Sequence, residues 1–382
     1  MDGSTVSEDG PALTQSPPRA PDGRLALASL VLVFLAYLSV ASVAQLMNAG
    51  FGVWFSEAFI FLGLSWVLVA FSRRDPSRWT GFAPLNVAPT LFGFALGAVN
   101  FFAVTIPLQF AATHLFPESW TEYFDSARIF QDRSPFDLAL ILAGVTVAAP
   151  IGEEYFFRGV FQNALARTRL GPWKAMGVAA FVFSAFHFDP VGFAARLELG
   201  LLFGWLFWRT RSIWPGVMAH AANNGITSVL FFASRQAKTE DVRAAAAAPA
   251  AEGALQVVLL AVTALIALAA LLWALQRRPS LLAPVAVEER PVAPRGFFQL
   301  CAPWAAAAAI SVTLLLAFDW RGVRLNVYDA AHPLPARAEE NRIEMQALSE
   351  LRSKVRTGHA PFDEYKERRR ALIERSTKAP RP

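Results

Sequence analysis

The chain has 382 residues, of which 54% are hydrophobic and only 17% are charged. Soluble globular domains carry about 25% charged residues, so this composition excludes one large soluble core. It also excludes an intrinsically disordered chain, a collagen and a disulfide scaffold, the last because there is a single cysteine. The net charge of +5 comes from basic residues between apolar blocks, which indicates membrane topology and not a nucleic-acid partner.

The apolar residues form blocks of about 18–25 residues, the length with which a helix crosses about 30 Å of hydrocarbon. Alternating short strand patterns are absent from the sequence, which argues against a β-barrel. We therefore predict an all-α fold, a polytopic helical membrane protein with eight or nine transmembrane helices. The apolar segments run approximately over 25–48, 51–72, 88–113, 136–166, 174–188, 192–209, 213–233, 254–276 and 299–318.

Composition also divides the chain into five parts. A polar, Pro-rich leader precedes the first apolar segment and is expected to be disordered. A polar tail follows the last segment, and its spacing predicts two amphipathic helices near 337–356 and 361–376. The predicted parts are a leader at 1–24, N-terminal transmembrane helices at 25–87, a catalytic helical core at 88–235, a linker with C-terminal transmembrane helices at 236–318, and a helical tail at 319–382.

Basic residues fall in alternate connections, so these connections share one side of the membrane, which is predicted to be cytoplasmic. The amino terminus is then cytoplasmic, and the Ala/Arg/Pro-rich composition indicates a bacterial inner (plasma) membrane. Nine spans place the tail outside, whereas the tail is cytoplasmic if 299–318 does not span. The basic residues concerned are Arg73, Arg74, Arg78, Arg167, Arg169, Lys174, Arg209, Arg211, Arg277 and Arg278.

Two adjacent carboxylates lie in the middle of the fourth apolar segment. Ionisable residues inside membrane helices are costly, so they mark functional sites by default. Glu154 and Arg158 are four residues apart on one helix face and are expected to form an ion pair. Glu153 points about 100° away and has no local partner, which suits a general base. The alternative is a structural ion pair with a spare carboxylate that faces a water-filled cleft.

Two histidines also lie deep in apolar segments. His187 follows Phe183 by one turn, and His220 shares a helix face with Asn224. Taken singly, His187 fits a core histidine, and His220 with Asn224 fits a structural hydrogen-bonded pair between helices.

Taken together, the carboxylate pair, the histidines and the asparagine predict one polar chamber built from three segments. Such a set supports hydrolysis, in which a carboxylate takes a proton from water, imidazoles orient the water or bind a metal, and an amide stabilises an oxyanion. Glu57, Asn100 and Gln109 are single polar residues in apolar segments, and we predict structural roles for them. Arg196 lies near a segment start, where a long side chain reaches the interface easily.

The order Glu-Glu-xxx-Arg, Phe-xxx-His and His-xxx-Asn on successive membrane helices resembles the CPBP family. That family includes type II CAAX prenyl proteases (the Ras-converting enzyme) and bacterial proteins linked to bacteriocin processing and immunity. Each motif alone is weak, whereas the ordered trio within apolar helices is specific. The resemblance covers about residues 88–235.

The resemblance implies an intramembrane endopeptidase. Glu153 and His187 would activate the attacking water, and His220 and Asn224 would hold the oxyanion. The supporting residues would be Glu154, Arg158 and Phe183.

The resemblance leaves the role of a metal open, because such proteases are described both as metalloproteases and as glutamic-type proteases. Glu153, His187 and His220 would form a His₂Glu zinc set. However, the sequence has no H-E-x-x-H motif. We therefore expect a metal-free, glutamic-type enzyme without a cofactor, and Zn²⁺ is the alternative.

The expected partners are the lipid bilayer and a peptide or membrane-protein substrate that is lipid-modified or carries a carboxyl-terminal sorting signal. Two other classes of function are compatible with the same polar residues. One is a non-catalytic membrane immunity or scaffold protein that keeps the chamber for binding. The other is a transporter that uses the two carboxylates for proton coupling, although the sequence lacks the internal repeat common in transporters.

Overall fold

The computed structural model describes residues 22–130, 135–236, 250–284, 292–335 and 342–378. Within these ranges the regular elements are helices and none is a strand, so the predicted all-α class is confirmed. The long helices are α1 (Asp22–Met47), α2 (Ala49–Phe71), α3 (Val87–Leu115), α4 (Phe136–Ala166), α5 (Gly171–Ala185), α6 (Phe193–Thr210), α7 (Trp214–Gln236), α8 (Ala250–Arg277), α9 (Phe297–Ala331), α10 (Arg342–Thr357) and α11 (Phe362–Lys378).

Six of the described helices, α1 to α4, α8 and α9, are long and apolar enough to cross a membrane. The other three core helices, α5 to α7, differ in length or polarity. For example, α5 has 15 residues and is about 22 Å long, short of a full hydrocarbon core. These three helices and the loop after α5 carry the predicted histidines. These less apolar helices and α4, which carries the two adjacent carboxylates, are therefore the ones that contribute the predicted polar residues.

The helix ends refine the predicted boundaries. Helix α1 begins at Asp22, inside the predicted leader, and residues 1–21 lie outside the described ranges. Most of the predicted Ala-rich linker at 243–253 also lies outside them, but its last residues belong to α8. Helix α9 continues past the predicted end at 318, and the non-helical backbone of Asp319 (φ −134°) interrupts it there.

Contacts define two opposite ends of the helix bundle. At one end, Arg74 pairs with Asp22 at 2.8 Å, and the Ile213 amide donates to the Gly81 carbonyl at 3.1 Å. This is the end with the basic connections. The tail helices α10 and α11 lie at the other end, because α9 crosses the bundle before they begin. The tail and the basic connections are therefore on opposite faces.

The tail is held at its end of the bundle by one polar network. Asn48, between α1 and α2, donates to Asp137 at 3.0 Å and to Asp319 at 3.2 Å. Arg356 of α10 donates to Asp137 at 2.5 and 3.1 Å and to Asp319 at 2.7 and 3.0 Å. Hydrogen bonds to Asp137, against the opposing effect of burial, raise the pKa of Arg356 above its ordinary value. This cation therefore links the start of α4, the kink of α9 and the tail.

Replacing this guanidinium should release the tail. We expect Arg356→Ala to weaken tail docking by about 1.5–3 kcal/mol, because charge-assisted hydrogen bonds are lost and two carboxylates lose their shared cation. Limited proteolysis of the purified full-length protein measures this effect, and tail cleavage should accelerate on the order of tenfold or more. The control is Arg370→Ala, which removes an exposed arginine from α11. Equal cleavage rates in the two variants would contradict the prediction.

Candidate active site

The two adjacent carboxylates lie where α4 changes its backbone pattern. The α-helical stretch ends at Glu154 and a π-helical stretch begins at Tyr155. Such π turns are rare and often occur at functional sites. Glu154 and Arg158 are both fully buried, and Arg158 Nη1 lies 2.9 Å from Glu154 Oε1. The ion pair expected from the four-residue spacing is therefore present.

Two neighbouring helices complete the surroundings of Arg158. Its Nη2 donates to the Gly200 carbonyl of α6 at 3.2 Å. Its guanidinium carbon lies 4.5 Å from the ring centre of Phe183 and 5.2 Å from that of Phe203. Aromatic faces stabilise a cation that has lost its water. Arg158 thus joins α4 to α5 and α6.

His220 of α7 connects the two carboxylates. Its Nδ1 lies 3.2 Å from Glu154 Oε1, and its Nε2 lies 3.9 Å from Glu153 Oε2. Its ring stacks on Phe203 with centroids 5.1 Å apart and planes at 19°. The ring orientation is therefore set by Phe203 on one face and by Glu154 at one nitrogen, which leaves the Nε2 edge directed toward Glu153.

His187 lies just beyond the end of α5, one turn after Phe183. Its Nδ1 is 3.0 Å from the Phe183 carbonyl, which can only accept, so Nδ1 carries the proton and Nε2 keeps a lone pair. The Phe183 ring lies 5.2 Å from the His187 ring and 6.0 Å from the His220 ring. Phe183 therefore packs against both imidazoles.

Asn224 follows His220 by one turn of α7 but is held by other partners. Its Nδ2 donates to the Val145 carbonyl of α4 at 2.8 Å, and its Oδ1 accepts from Asn223 at 3.2 Å. One amide hydrogen is therefore committed to α4. The contacts described for Asn224 do not include Glu153, so its oxyanion role stays a prediction.

Sequence reasoning missed the loop between α5 and α6. Asp189 pairs with Arg196, and its Oδ1 accepts from the Val191 amide at 2.9 Å. Arg196 also lies within electrostatic range of Glu153 and His187. Its side chain is only 18% exposed, because it is held in the loop by this ion pair. No spacing pattern could reveal this, because the pairing depends on how the loop folds.

Sequence reasoning also assigned Glu57 a purely structural role. The structure places its carboxylate against Gly152, the residue before Glu153, and within electrostatic range of Glu153. Glu57 belongs to α2, far from the motifs in sequence. No motif in the sequence therefore identifies Glu57 as a site residue.

The zinc set predicted from the sequence consists of Glu153, His187 and His220. Within the part of the chain that the structure describes, no three His, Cys, Asp or Glu side chains are grouped to hold a metal ion. The rings of His187 and His220 both pack against Phe183, and Glu153 Oε2 is 3.9 Å from His220 Nε2. The residues in this arrangement do not fit a His₂Glu zinc site.

The close approach of α2 to α4 at Gly152 can be tested directly. A Cβ at this position would lie 2.7 Å from both the carbonyl oxygen and Oε2 of Glu57. We therefore expect Gly152→Ala to lower stability by about 1–3 kcal/mol through overpacking, measured by thermal unfolding in detergent. Gly177→Ala is the matched control, because a Cβ there meets nothing within 4 Å. An unchanged unfolding temperature for Gly152→Ala would contradict the described packing.

The site residues fall in one segment that matches a known family. Residues 135–226 match the family model described as type II CAAX prenyl endopeptidase Rce1-like. This match is shorter than the predicted core at 88–235, but it contains every predicted catalytic and supporting residue. No curated protein and no solved structure matches the chain. Residues 135–226 are therefore similar to the CAAX-type proteases of the CPBP family, and they belong to a multi-pass helical membrane protein.

Proposed function

We propose that the chain is an intramembrane endopeptidase that hydrolyses a peptide bond with a water molecule activated by Glu153. The observation that carries this proposal is the position of Glu153 beside His220, which is itself held by the buried Glu154–Arg158 pair. A general base must be held in a fixed direction to take a proton efficiently. The match of this segment to a CAAX-type protease family supports the same reaction.

The proposed reaction follows from these positions. Glu153 takes one proton from water as the water oxygen attacks the peptide carbonyl carbon, and the carbonyl oxygen becomes an oxyanion. The lone pair on His187 Nε2 orients the water, while His220 and Asn224 donate to the oxyanion. The C–N bond then breaks, and Glu153 returns the proton to the leaving amine. These roles are assigned from geometry and from the resemblance, and each can be tested by substitution.

Glu154, Arg158 and Phe183 support the site without touching the reacting atoms in this scheme. Glu154 fixes one nitrogen of His220, and Arg158 neutralises the charge of Glu154. Phe183 packs against the two imidazoles. Loss of any of the three should misplace the catalytic groups, because small displacements of a reacting group cost large factors in rate.

The substrate class follows from the location of the site. Glu153 lies 13 residues before the end of α4 at Ala166, or about 20 Å along the helix. We therefore propose a membrane-associated substrate, either lipid-modified or with a carboxyl-terminal sorting signal. We also propose that the face with the basic connections is cytoplasmic, so the amino terminus is cytoplasmic and the tail is outside.

Glu153→Gln should abolish cleavage while the protein still inserts, because an amide cannot accept the proton from water. Terminal-peptide mass spectrometry on host membranes measures this loss, with wild type and variant at equal expression. Specific termini should vanish in the variant, and the lost peptides identify the substrates. Glu198→Gln is the control, because it neutralises another carboxylate in a helix of the bundle, which is partly buried and accepts from Asn100 at 3.1 Å. Unchanged termini in Glu153→Gln would favour the non-catalytic immunity or scaffold function.

Metal removal separates the glutamic-type mechanism from a zinc enzyme. We expect protein purified in detergent and treated with a strong chelator to keep full activity, because the described residues do not fit a three-ligand metal site. Elemental analysis should find far less than one zinc per chain. Loss of activity on chelation, restored by added Zn²⁺ alone, would reverse this assignment.

A further inference from the structure

A groove of about 770 Å³ lies at the tail end of the bundle, between α2, the start of α4, α9 and α10. This volume is within the range of about 300–1,000 Å³ that is typical of small-molecule sites. The wall is mostly apolar and aromatic, and its larger side chains are Phe51, Trp54, Phe59, Leu140, Leu315 and Phe318. Asp137, at the same end of α4, precedes Glu153 by about 24 Å along the helix. The groove is therefore separate from the candidate active site.

The groove opens toward the hydrocarbon of the bilayer. Phe136 and Phe318 at its edges are 74% and 87% exposed, and α2, α4 and α9 are long and apolar enough to span a membrane. The apolar part of α9 runs from Phe297 to Phe318, which is about 33 Å along the helix and matches a hydrocarbon thickness of about 30 Å. Asp319 therefore lies at the boundary between hydrocarbon and headgroups, and the groove lies just inside this boundary.

A second, smaller recess of about 130 Å³ lies on the headgroup side of the same boundary. Arg321 and Arg324 of α9 line it, together with Phe362 at the start of α11. The guanidinium carbon of Arg324 lies 4.0 Å from the ring centre of Phe362, and Lys366 Nζ lies 5.4 Å from the same point. Two cations therefore pack on this ring, and a third, Arg321, lines the same recess.

The cations of the recess exceed the carboxylates beside it. Lys366 is ion-paired with Asp363, which also lies within electrostatic range of Arg324. Among the described residues, no carboxylate forms an ion pair with Arg321 or Arg324, and both side chains are exposed. Guanidinium groups bind phosphates through charge-assisted hydrogen bonds, and basic clusters at headgroup depth attract anionic lipids. The recess therefore offers two guanidinium groups to a phosphate.

The same segments border both cavities. Asp319 lines the groove, and Arg321, two residues later on α9, lines the recess. On the opposite wall, Thr357 at the end of α10 lines the groove, and Ala360 in the following turn lines the recess. Between these two, a Cβ at Gly358 would lie 2.7 Å from Arg321 Nη1, so the turn packs on this arginine. A molecule with its chain in the groove would therefore have its polar end near the two arginines.

We propose that the groove and the recess together bind one anionic phospholipid of the bilayer. An acyl chain fills the apolar groove, and the phosphate accepts hydrogen bonds from Arg321 and Arg324. The depth of the cavities favours a lipid, because the groove opens into hydrocarbon and the recess lies among headgroups. The excess of positive charge favours an anionic headgroup over a zwitterionic one. The bound lipid joins the tail to the bilayer in addition to the Arg356 network, and its binding does not depend on the proposed endopeptidase activity.

Native mass spectrometry of the purified full-length protein in detergent tests the headgroup. The probes are phosphatidylglycerol and phosphatidylcholine with identical acyl chains. Combining Arg321→Gln with Arg324→Gln should weaken phosphatidylglycerol binding about tenfold or more, with little change for phosphatidylcholine, because two phosphate-binding charges are lost. The control combines Arg370→Gln with Arg375→Gln, which removes the same charge from exposed arginines of α11. Equal phosphatidylglycerol affinity in the two double variants would overturn the proposal.

Filling the groove tests the acyl chain. Ser311 lines the groove, so Ser311→Trp places an indole in it and should weaken binding of both lipids about tenfold or more, while the preference for phosphatidylglycerol remains. Thr313→Trp is the matched control, because its hydroxyl makes the same kind of hydrogen bond to the backbone of α9 but lies outside the groove. It should bind both lipids like wild type. Unchanged lipid binding in Ser311→Trp would show that the groove holds no chain.

A probe without acyl chains separates a lipid from a free phosphate. Glycerol 3-phosphate should not displace phosphatidylglycerol at equal concentration, because it cannot occupy the groove. Full displacement would identify a site for soluble phosphates and would overturn the lipid assignment. Equal lipid binding by wild type, the Arg321/Arg324 double variant and Ser311→Trp would indicate only the lipid layer around any membrane protein, and would also overturn it.

Discussion

The structure depends on one buried ion pair, Glu154 with Arg158, which joins four helices in an apolar bundle. Two charges removed from water are costly unless their remaining hydrogen-bonding groups are satisfied. Here His220 approaches Glu154 Oε1, the Gly200 carbonyl accepts from the guanidinium, and Phe183 lies beneath the cation. Glu154 Oε2 and Arg158 Nε have no hydrogen-bond partner among the described residues, so the pair is only partly compensated. Removing either charge would leave the other unpaired, at a cost of about 3–5 kcal/mol. The pair therefore constrains how α4 to α7 can pack.

This constraint also explains which helices face lipid. Helices α8 and α9 expose many large apolar side chains, including Leu259, Ile266 and Ile310, which a bilayer would cover. The less apolar helices α5 to α7 instead pack on α4 and α3. On α3, a Cβ at Gly97 would lie 2.5 Å from Ala219, the residue before His220, so these two backbones are in close contact. Polar residues thus collect where the backbone is shielded from lipid.

The middle and the start of α4 are held by different parts of the chain. Near its middle, α2 packs on Gly152 and brings Glu57 toward Glu153. At its start, Asp137 binds Asn48 and the tail residue Arg356. The helix that carries the proposed general base is therefore supported at two places by residues outside the segment that matches the protease family. This arrangement gives the N-terminal helices and the tail a physical connection to the site.

The sequence by itself determined the helical class, the nine apolar segments, the two tail helices and the ordered motifs. These features depend on apolar length and on four-residue spacing, which are local properties of a helix. The pairing of Glu154 with Arg158 also depends on four-residue spacing within one helix. Only the tertiary structure decided which residues from different helices meet. Glu57 beside Gly152 and Arg356 with Asp137 join residues far apart in the chain, and no local period encodes such contacts. Arg196 and Asp189 are close in the chain, but their pairing depends on how the loop between α5 and α6 folds.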